Sequence, residues 1–237
     1  MTTNHHQSKK NLCIIPARGG SKRIPRKNIK DFLGKPIIAY SIEAAINSNL
    51  FDEIMVSTDD SEIAEIAIKY GAKVPFLRSK ENANDYATLA DVLIEGINQY
   101  EDCGTTFENI CCILPTAPLT SSVRIKEAFK KFYDENLESI LPVVEFSYPI
   151  LRALELDENK RLKMIWPEHL KTRSQDLNST YHDSGSFYWV KTNDLLEQKT
   201  LFCKNGSAIV LPENEVQDID NETGWKLAEL KYKLLND

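Results

Sequence analysis

No stretch of this chain approaches the roughly 20 consecutive apolar residues that a membrane-spanning helix needs, and the polar opening Met1–Lys10 lacks the apolar centre of a secretory signal. There is no excess of basic charge. Lys and Arg number 29 against 35 Asp and Glu, a formal net charge of −6, which argues against a broad nucleic-acid or membrane-surface footprint. Cysteine is scarce and odd in number. Cys13, Cys103, Cys111, Cys112 and Cys203 are irregularly spaced and partly inside apolar runs, which disfavours a disulfide framework or a zinc site and suits buried thiols in a reducing cytoplasm. Internal repeats and low-complexity segments are also lacking. His5 and His6 read as ordinary surface residues of a flexible tail, 1–10, rather than as metal ligands. The expectation is a cytoplasmic protein with neither nucleic acid nor membrane as a partner.

What is present is an alternation of short apolar runs and amphipathic segments in a chain of 237 residues, 42% of them hydrophobic. Strands are expected at Asn11–Pro16, Glu53–Ser57, Lys73–Leu77, Asn109–Leu114, Ser139–Val144 and Ser186–Lys191. Helices are expected at Pro36–Asn47, Asp60–Tyr70, Thr88–Tyr100, Val123–Tyr133 and Glu222–Leu235. This rhythm predicts a three-layer α/β fold with a mostly parallel sheet, a single domain over 11–237. The rhythm breaks from Glu145 to Asn178, an irregular, charged insertion that reads as a lid or as an arm packing on a second subunit.

The first strand runs into Ile14-Ile15-Pro16-Ala17-Arg18-Gly19-Gly20-Ser21-Lys22-Arg23-Ile24-Pro25-Arg26-Lys27-Asn28. Two glycines let the backbone approach a ligand, and exposed N–H groups there can cradle phosphate oxygens. Five cations fall in ten residues, at the carboxyl end of a strand, where ligands bind in open α/β sheets. A merely solvated basic loop is the alternative. Neither a Walker A loop nor a G-x-G-x-x-G fingerprint is present.

This run resembles the opening motif of the CMP-sugar synthetases, the family that includes CMP-sialic acid and CMP-3-deoxy-manno-octulosonic acid synthetases. Gly34-Lys35-Pro36 and Phe51–Asp59 extend the similarity. The resemblance implies a Rossmann-like nucleotidyltransferase fold that binds CTP, with Ala17, Arg18, Ser21, Lys27 and Asn28 on the nucleotide and its phosphates, and Arg18 and Lys27 also catalytic. Leu77–Thr88 resembles the family's cytosine-binding stretch, which implies that Arg78 and the backbone around Ala87 and Thr88 read the base. A loop capping the next helix is the alternative for the Thr88 hydroxyl.

Near the C-terminus stands Gln217-Asp218-Ile219-Asp220. In an extended segment, residues two apart point the same way, so both carboxylates would face one point, with Ile219 turned into the core. Carboxylates plus substrate phosphates are a usual Mg²⁺ environment; an exposed loop or a helix N-cap is the alternative. The family resemblance implies that Asp218 and Asp220 are the metal pair, with Asp220 catalytic. Arg173 suits a sugar carboxylate, since its fork donates two parallel hydrogen bonds, and Gln175 can serve hydroxyl or acetamido groups. His182 and Asp183, adjacent on a strand, would point to opposite faces and form no acid/base dyad.

Thr172–Leu177, Tyr181–Gly185 and Glu215–Asp220 are similar to the branch of the family that acts on pseudaminic acid, a nine-carbon acidic sugar, while Leu114 and Thr120 depart from the sialic acid branch. The similarity implies transfer of CMP from CTP to that sugar for surface-glycan or flagellin glycosylation, a sugar site including Arg173, Gln175, Tyr181 and His182, Mg²⁺ as cofactor, and a homodimer joined by the 145–178 arm. The alternatives are a cytidylyltransferase for sialic, legionaminic or octulosonic acid, and a non-catalytic nucleotide-sugar sensor.

Overall fold

A computed structural model describes residues 11–236; the 1–10 tail with His5 and His6 lies outside the described residues. The central sheet contains β1 (Asn11–Pro16), β4 (Glu53–Ser57), β5 (Asn109–Ile113), β6 (Ser139–Glu145), β9 (Tyr181–Asp183), β10 (Phe187–Lys191) and β11 (Gly206–Val210). Its order is β11-β6-β10-β5-β1-β4, with β9 also on β6. β1, β4, β5, β6 and β11 run one way, whereas β9 and β10 run antiparallel to their neighbours. Two small hairpins lie outside it, β2 (Asp31–Phe32) with β3 (Lys35–Pro36), and β7 (Leu154–Leu156) with β8 (Leu162–Met164). The helices are α1 (Ile37–Ser48), α2 (Ser61–Lys69), α3 (Leu89–Asp102), α4 (Ser122–Asp134), α5 (Thr192–Gln198) and α6 (Glu222–Asn236).

β1 and β5 are buried at every position, as strands covered on both faces must be. Alternate residues feed two cores. Cys13, Ile15, Val56, Cys111 and Ile113 meet α1, α2 and α4, while Leu12, Ile14, Met55, Ile110 and Cys112 meet α3 and α5. A sheet sandwiched between two helical layers results. The expected Lys73–Leu77 strand is only a ragged edge, touching β4 and Thr58 through isolated bridges. α5 and β11 follow the Ser186–Lys191 region, where no further strand was expected before the last helix. The thiols are free, and burial pushes those of Cys13, Cys111 and Cys112 up. Cys103, at the end of α3, departs from the buried-thiol expectation by being exposed.

A third core decides where the chemistry sits. Ile24 of the basic loop, Phe32, Ile37 and Tyr40 pack with Ile219, Trp225 and Ala228. The Phe32 and Trp225 rings meet edge-on at 5.6 Å, and α6 packs so closely on the preceding segment that a Cβ at Gly224 would come within 2.9 Å of the Asp218 carbonyl. Burying Ile24 and Ile219 in one cluster draws two segments nearly 200 residues apart onto the same end of the sheet.

Asp60 braces the loop from the other side. It caps α2 by accepting from the Ile63 N–H at 3.0 Å, and it takes the Arg26 guanidinium through Nη1 at 2.5 Å and Nη2 at 3.0 Å. Its neighbour Asp59 accepts from the Gly19 N–H at 2.9 Å. Asp60 lies so near that a Cβ at Gly19 would meet its Oδ2 at 2.7 Å, which is why a glycine stands there. The Arg26 bonds hold the Asp60 carboxyl down at about 2. A depressed carboxylate stabilises the fold above its unfolded value, near 4, and that stability is lost as the pH falls from about 4 to about 2. Asp60→Ala should therefore cost about 1–2 kcal/mol at neutral pH, discounted for partial exposure, and lower the melting midpoint by several degrees, about 3–8 °C. Asp60→Asn, which can still cap, should lose less. Equal melting of D60A and the wild-type chain would show that neither the cap nor the pair stabilises the fold.

Candidate active site

Two cavities open at the carboxyl end of β1 and share Pro16 and Arg18 as lining. The larger, about 400 Å³, is bounded by Ser21, Lys22, Lys27 and Asn28 of the loop and by Leu114 and Thr116 after β5. The smaller, about 230 Å³, is bounded by Arg78, Asn82, Asp85, Ala87 and Thr88. The basic loop is therefore a wall of a cleft, not a solvated tail.

Every cation of the loop has a partner. Arg18 Nη1 donates to the Asn84 carbonyl at 3.0 Å and to Asp85 at 2.7 Å, and Lys22 donates to the other Asp85 oxygen. Arg23 pairs with Asp220 at 2.6 Å, and Arg26 with Asp60 and Glu62. Lys27 Nζ donates to the Ile219 carbonyl at 2.8 Å. Burial pushes the Lys27 ammonium below its ordinary value, against the pull of Asp220 and Asp218. Asn28 is buried and donates through Nδ2 to the Arg18 carbonyl at 2.9 Å, so it shapes the loop as well as lining the cleft.

Ile219 is 1% exposed, while Asp218 and Asp220 on either side reach solvent. The cap of α6 is supplied by Asn221, whose Oδ1 accepts from the Gly224 N–H at 2.9 Å, so the two aspartates are not spent on capping. Among the described residues no group of three or more His, Cys, Asp or Glu side chains could hold a metal ion by itself. Two carboxylates beside a cationic loop nevertheless fit Mg²⁺, which commonly takes one or two carboxylates and completes its shell with water and substrate phosphates.

On the small-cavity side Arg78 is 8% exposed. Its Nε donates to Ser57 Oγ at 3.0 Å and its Nη2 to the Ser57 carbonyl at 2.5 Å. Burial pushes its guanidinium down from the ordinary value, against the pull of Asp59 and Glu95. Three expected nucleotide contacts have groups already engaged within the chain. The Ala17 side chain is in the first core and its N–H donates to the Ser57 carbonyl at 2.9 Å, so neither is available to a ligand. The Ala87 N–H is taken by Asn84 Oδ1 at 3.0 Å. Thr88 forms a capping box with Asp91, which consumes its hydroxyl and its N–H. The Thr88 carbonyl accepts from the Val92 N–H at 3.3 Å, so any base recognition from this pair is left to the Ala87 carbonyl oxygen.

The four expected sugar residues fall in two places, both outside these cavities. Arg173 and Gln175 lie on the exposed arm, where Arg173 grips Asp176 at 2.7 and 3.0 Å and is 71% exposed. Tyr181 and His182, on β9, line a third cavity of about 390 Å³ with Leu141 and Phe202. His182 Nδ1 lies 2.9 Å from the Asp183 carbonyl, while the Asp183 carboxylate accepts from Tyr188 Oη at 2.6 Å and from the Gly185 N–H at 2.8 Å. The two residues form no dyad. Sequence reasoning missed Asp59, Asp60 and Asp85; the signal that could have found them is that five clustered cations in an acidic chain call for nearby acids.

The family model described as "Cytidylyltransferase" matches residues 12–209. The chain belongs to the cytidylyltransferase family. A pseudaminic acid cytidylyltransferase of Campylobacter jejuni is 48% identical over 225 residues, covering 95% of this chain and 97% of that protein. A CMP-N,N'-diacetyllegionaminic acid synthase of Legionella pneumophila is 32% identical, covering 94% and 96%. Among solved structures, a CMP:2-keto-3-deoxy-manno-octonic acid synthetase complexed with CTP superimposes with a TM-score of 0.68 at 16% identity, covering 96% of this chain and 99% of that one; this likeness speaks to the fold. The cytidylyltransferase is thus a CTP-dependent nucleotidyltransferase on a three-layer α/β sheet, and no helix among its described residues is long and apolar enough to cross a membrane.

Proposed function

We propose that this cytidylyltransferase transfers CMP from CTP to the anomeric hydroxyl of pseudaminic acid and releases pyrophosphate. The observation that carries the reading is the meeting of the basic loop with the Asp218–Asp220 segment, fastened by Lys27 on the Ile219 carbonyl. The loop cavity suits the triphosphate, with Arg18, Ser21, Lys22 and Lys27 on its oxygens. The smaller cavity suits cytosine. Arg78 offers donors to the ring's acceptors, and the Ala87 carbonyl is a matched acceptor for its exocyclic amino group. Asp218 and Asp220 would hold Mg²⁺, which supplies charge neutralisation for the α-phosphate and the departing pyrophosphate. The sugar hydroxyl attacks the α-phosphorus in line with the leaving group, and Arg18 and Lys27 stabilise the phosphate charge.

The choice of sugar rests on similarity: 48% identity to the relatives named for pseudaminic acid, against 32% and 37% to those named for diacetyllegionaminic acid. Arg173 and Gln175 lie on an arm whose Leu154, Leu156 and Leu162 are exposed. A second copy covering these residues gives a homodimer in which the arm of one protomer completes the sugar site of the other, within one catalytic unit over 11–237 and with 145–178 as the arm. Assayed with pseudaminic, legionaminic, sialic and octulosonic acids, the enzyme should show its highest kcat/KM with pseudaminic acid and sediment at twice the chain mass. A preference for another acid would sink the substrate assignment, and a monomer would sink the shared site.

A further inference from the structure

Asp85 walls the smaller cavity, and it is also the acid bound to two of the loop's cations. Its Oδ1 accepts from Arg18 Nη1 at 2.7 Å, and its Oδ2 accepts from Lys22 Nζ. The same Arg18 Nη1 donates to the Asn84 carbonyl at 3.0 Å. Both protons of that nitrogen therefore go to one loop. Among the described residues Arg18 Nε and Nη2 make no hydrogen bond, and Arg18 is a wall of both cavities. Nε and Nη2 form the planar edge of the guanidinium that can donate two parallel hydrogen bonds to a phosphate.

The loop that carries Asp85 is itself fixed. Asn84 Oδ1 accepts from the Tyr86 and Ala87 N–H groups at 2.7 and 3.0 Å, and Asn84 Nδ2 donates to the Glu81 carbonyl at 2.6 Å. Farther back, Glu95 of α3 accepts from the Ser79 N–H at 2.7 Å and from Asn82 Nδ2 at 2.6 Å. A braced carboxylate can hold a long, otherwise mobile side chain in one rotamer and remove its ordering cost before a ligand arrives. A carboxylate acting as a mere substitute for phosphate would take the two-nitrogen edge; Asp85 takes one nitrogen and leaves that edge. Lys22, whose side chain is 76% exposed, contributes a point charge with little orientation of its own.

We propose that Asp85 is a positioning residue for the triphosphate, holding Arg18 by Nη1 so that its Nε–Nη2 edge is set for a phosphate. The proposal rests on the nucleotide-site reading above. The test is calorimetric titration of the full chain with pyrophosphate and, separately, with cytidine, at one fixed low ionic strength. Asp85→Ala should weaken pyrophosphate binding about tenfold, the scale of one lost charge-assisted contact, and weaken cytidine binding several-fold less. Asp85→Asn, whose amide oxygen can still accept from Nη1, should recover most of the loss. Asp85→Ser, too short to reach Arg18, repeats the test if D85A does not fold. Unchanged or tighter pyrophosphate binding in D85A would overturn the proposal. So would an equal loss for cytidine, which assigns Asp85 to holding the loop, and so would a D85N as weak as D85A. A wild-type chain that binds neither CTP nor pyrophosphate would sink the nucleotide-site reading itself, a distinct result.

Discussion

Asp220→Ala should lower CTP-dependent pyrophosphate release by about a thousandfold at saturating Mg²⁺, with the fold intact. The attacked α-phosphate and the leaving pyrophosphate concentrate negative charge, and losing one preorganised electrostatic contact to such charge typically costs 10²–10³ in rate. Asp220 is one of the two carboxylates flanking Ile219, so on the proposed reading a remaining Asp218 would offer Mg²⁺ half the protein ligands. The loss would not come from unfolding. The Asp220–Arg23 pair is exposed, at 41% and 69%, and such pairs contribute little to stability, while Ile219 stays buried in the third core. Asp220→Asn should be nearly as slow, because it keeps the volume and loses the charge. The measurement is steady-state pyrophosphate release with circular dichroism as the folding control. Unchanged turnover in D220A would remove the pair from the chemistry.

Lys27→Met should lower kcat/KM for CTP by about a hundredfold, roughly 2.7 kcal/mol of lost transition-state stabilisation. Lys27 joins the two halves of the site. Its ammonium lies on the Ile219 carbonyl, between the two aspartates and within the lining of the loop cavity. Its burial means that its charge acts through less water than an exposed lysine's would. Methionine keeps the apolar stem and removes the charge, so the loop should remain packed through Ile24. The loss should fall on kcat as well as KM, because phosphate charge is redistributed as the leaving group departs. A rise in KM with kcat unchanged would assign Lys27 to binding alone, and no change in either would contradict its role.

The sheet and its helices were legible because apolar runs and helical periodicity are local signals. Asn11–Pro16 and Asn109–Ile113 are largely apolar strands, and Thr88 is a cap recognisable by residue type. Lys73–Leu77 failed because an edge segment needs a partner over several residues, and it meets β4 and Thr58 only through isolated bridges. Residue type marked the basic loop and the Asp-Ile-Asp run as candidates, but their meeting depends on Ile24, Ile219 and Trp225 sharing one small core, a tertiary fact with no local signature. Nor could spacing tell that the N–H groups of Ala17, Ala87 and Thr88 were already spent on Ser57, Asn84 and Asp91. Arg173 and Gln175 stand exposed on the arm, where residue type alone had to carry their reading.

The most direct test of the account is a single reaction followed by mass spectrometry, with the enzyme, CTP, Mg²⁺ and pseudaminic acid. Pyrophosphate and CMP-pseudaminic acid should appear in equal amounts, and neither should form when the sugar is left out. CTP binding with no pyrophosphate release, or pyrophosphate release accompanied by free CMP regardless of the sugar, would contradict it.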